Sequence, residues 1–139
     1  MSMTRYIAII DGKAGAYGAW FPDLPGCAAM GETIEKAVAN AADAMRDWVD
    51  VTLSKGETIP EPSAPEALTA DPETSEAIGE GALMQPIPLV RETGRPVKAN
   101  LSIDAGVLAA IDAEAKKRNL TRSAFIELMA KHALTEMAL

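Results

Sequence analysis

The chain has 139 residues and a net charge of −7, and its 48% hydrophobic and 24% charged content is typical of a soluble globular protein. Nothing approaches the roughly 20 uninterrupted apolar residues of a membrane span, and the N-terminus is charged too early for a signal peptide. The single cysteine, Cys27, excludes an internal disulfide framework. These features predict a cytoplasmic protein that has no membrane association. No cofactor and no metal are expected.

The first 30 residues predict three short strands. Residues 4–10 form a run of branched and aromatic residues that ends at Asp11-Gly12, and residues 17–21 follow a glycine-rich turn, so a hairpin is expected. Two prolines and a glycine in residues 22–26 predict a tight turn. A third strand, residues 27–30, comes next.

A long amphipathic helix is predicted between Thr33 and Lys55. Thr33 is suited to the N-cap, and Glu35 places a negative charge in the first turn, near the positive end of the helix dipole. Lys55-Gly56 ends the helix. One face, against which a sheet can pack, carries the apolar positions Ile34, Ala37, Val38, Ala41, Met45, Trp48, Val49 and, marginally, Thr52.

The middle of the chain has weaker patterns. Residues 57–81 are rich in Pro, Glu, Ser and Ala and predict a connecting arm over the domain surface, with a possible helical turn near residues 64–70. Residues 82–90 are apolar enough for a strand, and Pro86 and Pro88 place it at a sheet edge. Residues 91–96 form a polar hinge.

The charge balance changes sign at this hinge. Residues 1–90 carry 5 Lys/Arg against 14 Asp/Glu, a balance of −9, whereas residues 91–139 carry 8 against 6, a balance of +2. This asymmetry predicts two tasks, an acidic half for a basic partner and a mildly basic half for phosphates. We therefore predict two domains, residues 1–92 (with 57–81 as the arm) and residues 93–139.

The C-terminal domain begins with an alternating segment followed by two helices. Apolar residues 97, 99, 101 and 103 face one way and polar residues 98, 100 and 102 face the other. Asp104 caps the first helix, Asn119 can adopt the left-handed conformation that ends it, and Thr121 caps the second. The inner side of the second helix is predicted to carry Phe125, Leu128, Met129, His132 and Ala133.

Roughly 40 residues with one unpaired strand are too few for a stable monomer, so two copies of the strand are expected to pair as an antiparallel ribbon. Such a ribbon fits the DNA major groove. Its outward residues Lys98, Asn100 and Ser102 would then contact bases, while Thr121 and Arg122, at a helix N-terminus, would hold a phosphate. Across residues 96–137 the pattern resembles ribbon-helix-helix repressors. The alternative is an edge strand and helical hairpin used only for dimerisation.

The front half resembles a second family. The features that carry this resemblance are Tyr6, the stretch Gly18-Ala19-Trp20-Phe21-Pro22-Asp23-Leu24-Pro25-Gly26-Cys27, the stretch Gly31-Glu32-Thr33, and Ala37, Asn40 and Ala41. These residues closely resemble the HicB antitoxins over about 50 positions. The resemblance implies an α+β fold, with a degenerate RNase H-like domain followed by a DNA-binding tail, here of the ribbon-helix-helix kind. It also implies binding to a small basic RNA-cleaving toxin, HicA, repression of the shared operon, and a tetramer.

The acidic front half agrees with a basic, RNA-handling partner. Toxin-binding candidates are Trp20, Asp23 and Glu32, and further carboxylates lie within or near the long helix at Glu35, Asp43, Asp47 and Asp50. The sequence does not distinguish which of them touch the toxin.

Two other functions compete with the antitoxin. One is a stand-alone repressor whose front half senses a ligand or only oligomerises. The other is a residual nuclease with Asp11 and Asp23 as metal ligands, but both are expected to be turn residues and no convincing further ligand is present, so no enzyme activity is expected. His132, Cys27, Trp20 and Trp48 are interpreted as packed structural residues, with Trp20 as a possible partner contact.

Overall fold

The computed structural model describes residues 3–137 and shows a mixed α+β protein. By backbone contacts it divides into two units, Met1–Arg91 with Thr135–Leu139, and Glu92–Leu134. The first unit holds strands β1 (Arg5–Lys13), β2 (Ala16–Trp20), β3 (Ala28–Gly31) and β4 (Leu83–Pro88) and helices α1 (Ile34–Ser54), α2 (Pro65–Thr69) and α3 (Pro72–Gly79). Helices α4 (Ala105–Lys117) and α5 (Arg122–Glu136) follow. No helix among the described residues combines the length and apolar character that crossing a membrane requires.

The four strands form one antiparallel sheet in the order β3-β2-β1-β4. The sequence expectation that β1 stops at Asp11-Gly12 is wrong, because β1 continues to Lys13 and the chain reverses at residues 14 and 15. Gly12 allows β1 and β2 to approach closely beside the turn, because it has φ +93° and a Cβ there would lie 2.3 Å from the carbonyl oxygen of Ala16.

Strand β4 forms one edge of the sheet, as its prolines predicted. Leu89 N–H donates to Thr4 O just beyond the ladder, so by antiparallel alternation Pro86 and Pro88 occupy positions whose backbone groups face away from β1. Proline has no N–H to offer there, which blunts this edge against further strand pairing.

Helix α1 covers one face of the sheet, here called the front face. Thr33 is its N-cap and accepts a hydrogen bond from Lys36 N–H at 3.1 Å, as predicted. Its buried residues pack with Tyr6, Ala8 and Ile10 of β1, and the predicted apolar positions Ala37, Ala41, Met45 and Val49 are fully buried. Gly31 permits the close crossing of β3 and α1, because a Cβ there would lie 2.3 Å from Ala37 N.

The helical turn expected near residues 64–70 forms as α2, whereas α3 was not predicted in the connecting arm of residues 57–81. Pro65 and Pro72 each begin a helix, and Asp71 caps the second by accepting from Thr74 N–H at 3.1 Å. Leu68 of α2 packs with Ile7 and Ile9 on the opposite face of the sheet, the back face. Two buried faces explain the unbroken burial of Tyr6–Ile10.

In the second unit α4 and α5 form a helical hairpin. Asp104 caps α4, Asn119 has φ +57° as predicted, and Ala115 and Phe125 are buried. The predicted inner side of α5 is only partly correct: Phe125 is buried and Met129 half-buried, but Leu128 is 43% exposed, and His132 and Ala133 are exposed. A lone two-helix hairpin has too little partner surface to cover a whole helix face.

Candidate protein and nucleic-acid interfaces

Only part of the back face of the sheet is covered. Helices α2 and α3 reach β4, β1 and the near side of Trp20, where Leu68, Ala77, Ala82 and Met84 pack around Ile7 and Ile9. Beyond Trp20 the same face continues across β2 and β3 through Gly18, Ala28 and Met30, since Gly18 pairs with Met30 and Trp20 with Ala28. Ala28 is exposed and Met30 is 66% exposed. We call Gly18, Trp20, Ala28 and Met30 the open half of the back face.

The indole of Trp20 is held in place on this open half. Its Nε1–H donates to Asp11 Oδ2 at 3.1 Å, and Asp11 Oδ1 would lie 2.8 Å from a Cβ built on Gly18. Glycine at position 18 therefore leaves room for the Asp11 carboxylate, which orients the indole. Asp11 belongs to β1 and not to a turn, so its predicted turn role is wrong.

The other two toxin-binding candidates have different surroundings. Asp23 is half-buried in the predicted turn, and both its oxygens accept hydrogen bonds from Ser63, one from the backbone N–H and one from the hydroxyl, each at 2.7 Å. It thereby anchors the segment that leads to α2. Glu32 is exposed after β3 and lies 3.7 Å from Lys36.

The carboxylates of the first unit differ in whether a cation pairs with them, and on α1 Glu35 and Asp47 form no ion pair among the described residues. Around α1, Glu32, Asp43 and Asp50 form ion pairs with Lys36, Arg46 and Arg91. Residues 57–80 carry seven carboxylates and no Lys or Arg, and none of the seven forms an ion pair in the described part of the chain: Glu57, Glu61, Glu66, Asp71, Glu73, Glu76 and Glu80. All seven are exposed. Five of the seven lie on or at the ends of α2 and α3 and are called the acidic layer: Glu66, Asp71, Glu73, Glu76 and Glu80.

The predicted base-contacting residues lie in a segment without regular structure in the single chain. Lys98, Asn100 and Ser102 are exposed, and residues 95–104 belong to no helix or strand. Val97 is 88% exposed and Leu101 67% exposed, so large apolar side chains alternate with polar ones and lack cover. An alternating apolar row of this kind is characteristic of a strand whose partner is another chain.

The predicted phosphate-contacting residues begin α5. Thr121 Oγ1 accepts from Ala124 N–H at 3.1 Å and so serves as the cap. Arg122 donates through two nitrogens to the two oxygens of Asp112, each at 2.8 Å. This fork-to-fork pair lowers the pKa of Asp112, chiefly through the hydrogen bond from Arg122, and raises the pKa of Arg122. The Arg122 guanidinium is therefore already bound to Asp112 of α4 before any contact with a phosphate.

The residues interpreted as structural are mostly packed. Burial raises the pKa of the Cys27 thiol to about 11, and Trp48 packs on the front-face core while its Nε1–H donates to Pro25 O at 3.0 Å. His132 is the exception, being exposed. Within residues 3–137, no group of three or more His, Cys, Asp or Glu side chains is placed to hold a metal ion.

The sequence alone does not reveal two surface features of the first unit. Met30 was seen only as the end of a strand, although strand alternation puts it on the same face as Trp20. Nor does the sequence indicate the acidic layer, since it predicts only one helical turn near residues 64–70 and not α3. Proline at the first helical position and the Asp71 cap were the signals that could have found these helices.

Comparisons with known proteins agree over nearly the whole chain. The family model described as "HicB_like antitoxin of bacterial toxin-antitoxin system" matches residues 6–130. The crystal structure of the antitoxin HicB of Burkholderia pseudomallei is 32% identical with a TM-score of 0.50, covering 96% of this chain and 98% of that one.

Two further relatives are more distant. The antitoxin HicB3 has the same fold, at 24% identity and a TM-score of 0.53, with 94% of this chain and 98% of that chain covered. An uncharacterized 14.9 kDa protein from Haemophilus phage HP1 (strain HP1c1), encoded in its rep-hol intergenic region, is 27% identical over 107 residues, which is 77% of this chain and 78% of that protein. By the family model and the Burkholderia relative, this chain belongs to the HicB-like antitoxin family of bacterial toxin–antitoxin systems.

Proposed function

We propose that this chain neutralises a small, basic, RNA-cleaving toxin of the HicA type through residues 1–92, and represses its own operon through residues 93–139. Family membership over residues 6–130 is the observation that carries the proposal. The charge supports it, because residues 1–90 have a balance of −9 and would attract a basic protein that otherwise binds RNA. On this assignment the first unit is a degenerate RNase H-like domain that binds and does not cleave.

The DNA-binding half of the proposal rests on the alternating segment. Two copies of residues 97–103 pair as a ribbon, which covers Val97 and Leu101 and turns Lys98, Asn100 and Ser102 toward the bases. Thr121 and Arg122 hold a backbone phosphate beside the ribbon. The ribbon makes the dimer, and association of front halves completes a tetramer.

Toxin neutralisation is tested by identifying the partner and then reproducing its control. A tagged chain is expressed in its native host, and a stoichiometric partner is identified by mass spectrometry. We expect a small basic protein whose expression alone arrests growth and whose co-expression with this chain restores it. If the wild-type chain recovers no such partner but still binds its promoter, it is a free-standing repressor.

Operator binding is tested with the double variant Lys98→Ala, Asn100→Ala. Each base contact contributes about 1–3 kcal/mol of discrimination, so the preference for operator over random DNA should fall by about 30-fold or more. Lys117→Ala, an exposed lysine late in α4, is the control and should leave that preference unchanged. Wild-type preference in the double variant would refute the ribbon assignment.

A further inference from the structure

We infer that the toxin docks on the open half of the back face, with Trp20 and Met30 as its apolar contacts and the acidic layer of α2 and α3 as its electrostatic guide. This inference rests on the proposed antitoxin function and names the surface that performs it. Of the three sequence candidates it keeps Trp20, and it replaces the carboxylates Asp23 and Glu32 by those of α2 and α3.

The apolar content of the surface is the first support. A methionine that is 66% exposed next to an exposed alanine and a half-buried tryptophan gives continuous apolar surface on one face of β2 and β3. Aromatic residues and methionine are enriched at the centres of protein interfaces. The hydrogen bond from Trp20 to Asp11 fixes the indole before binding, which lowers the entropic cost of association.

The edge of the sheet beside this face is the second support. Phe21 N–H donates to Cys27 O, so by alternation the backbone groups of Ala28 and Met30 point away from β2. Of the backbone groups of Ala28 and Met30 that point outward, Met30 O alone has a hydrogen-bond partner among the described residues: it accepts from Asn40 Nδ2 at 2.7 Å. The β4 edge is blunted by Pro86 and Pro88, whereas β3 leaves N–H groups that a docked protein can use.

Charge decides which kind of partner fits. Helix α2 packs Leu68 into the same cluster as Trp20, so the acidic layer adjoins the open half. Five exposed carboxylates lie on or at the ends of α2 and α3, and residues 57–80 contain no Lys or Arg. The cations of β1, Arg5 and Lys13, lie at the two ends of that strand. A second copy of this chain docked on the open half would bring two acidic layers together, whereas a basic protein would be attracted.

The test compares two lysine substitutions of exposed apolar residues, Met30→Lys on the open half and Val51→Lys on α1, which is 52% exposed and lies on the other side of the sheet. Binding to the purified basic protein identified above is measured by calorimetry. Met30→Lys should weaken binding by about tenfold or more, because it buries a cation against a basic partner, and Val51→Lys should change it less than about threefold. Equal effects of the two variants would overturn the inference.

A second pair of variants tests the electrostatic guide without touching the apolar surface. Glu66→Gln with Glu76→Gln is compared with Glu35→Gln and Asp47→Asn on α1; each pair removes two negative charges, one from the first turn of a helix. The first pair should slow association about threefold to tenfold at low salt and the second pair less than twofold. Equal slowing would reject the acidic layer as the guide.

Two further outcomes separate this inference from the function on which it rests. If the wild-type chain does not bind the basic protein, the antitoxin proposal fails. If Met30→Lys instead lowers the mass of the toxin-free chain in light scattering, the open half is a self-association surface and the docking inference is wrong.

Discussion

Asp11 accepts a hydrogen bond from Trp20, and Asp23 accepts two from Ser63. Both carboxylates lie near strand ends, where nucleases place metal ligands. In this chain each carboxylate has its own partner: Asp23 binds Ser63, and Asp11 binds the indole of Trp20 on the open half of the back face. The role of a carboxylate thus follows from the groups that its oxygens face.

Cys27 gives a prediction about pH at the same scale. Burial holds its pKa at about 11 in the folded chain, while an unfolded cysteine titrates near about 8.5. The unfolded state therefore loses this proton first as the pH rises, and the free energy of unfolding should fall between about pH 8.5 and pH 11. Below that window the contribution is fully present.

The measurement is urea unfolding at pH 8 and pH 10 for the wild type and Cys27→Ala. We expect a smaller loss of stability in the variant, because it lacks the thiol that ionises more readily in the unfolded chain. Tyr6, whose pKa burial also raises, is common to both chains and should leave part of the loss in the variant. An equal loss in both chains would contradict the assignment to Cys27. As the only cysteine, it should also resist thiol reagents until the chain unfolds.

Residues 57–64 carry the chain from the end of α1 to the back face, where α2 packs on the sheet through Leu68. Tyr6 donates to Pro60 O, Ile59 packs on the front-face core, and Ser63 bonds to Asp23. These contacts set where Leu68 meets the sheet. The acidic layer is therefore positioned by a turn residue that lies 40 positions earlier in the chain.

Asp23→Ala should release this segment. It removes two hydrogen bonds to a charged acceptor and leaves the half-buried Ser63 N–H unpaired, so the expected loss is about 2 kcal/mol of unfolding free energy. Ser63→Ala removes only the hydroxyl bond and should cost about 1 kcal/mol. Denaturant unfolding measures both, with exposed Asp47→Ala as the control. A loss no larger than that of Asp47→Ala would show that the anchor does not stabilise the fold.

At the scale of the whole molecule the two units divide by charge, acidic before the hinge and mildly basic after it. The exposed apolar alternation at Val97 and Leu101 belongs to the basic side. A chain that leaves such residues uncovered gains from pairing with a second copy, because each buried large aliphatic side chain contributes about 1.5–3 kcal/mol. Self-association and DNA binding should therefore fail together.

Leu101→Glu should separate operator binding from binding of the basic partner. A charge at the centre of the paired ribbon opposes dimerisation, so light scattering at micromolar concentration should show a lower mass than the wild type, and operator binding should be lost. Binding to the basic partner should persist, since the open half lies in the first unit. Ser102→Ala, one position away with an outward side chain, is the control for the mass. An unchanged mass for Leu101→Glu would remove the ribbon as the dimer contact.

The sequence by itself determined the elements whose signals are local. Thr33 caps α1, Asn119 ends α4 in a left-handed conformation, and Pro86 and Pro88 put β4 at a sheet edge, because capping, positive φ and the missing proline N–H act within a few residues. The motif from Trp20 to Cys27 likewise indicates the family from local sequence alone.

Only the tertiary structure decided which surfaces remain available. Strand pairing places Met30 beside Trp20, and Leu68 covers one half of the back face but leaves the other open. Long-range packing likewise assigns Asp23 to Ser63 and leaves the carboxylates of α2 and α3 without cations. Burial and pairing depend on residues far apart in the chain, and local propensity carries no information about them.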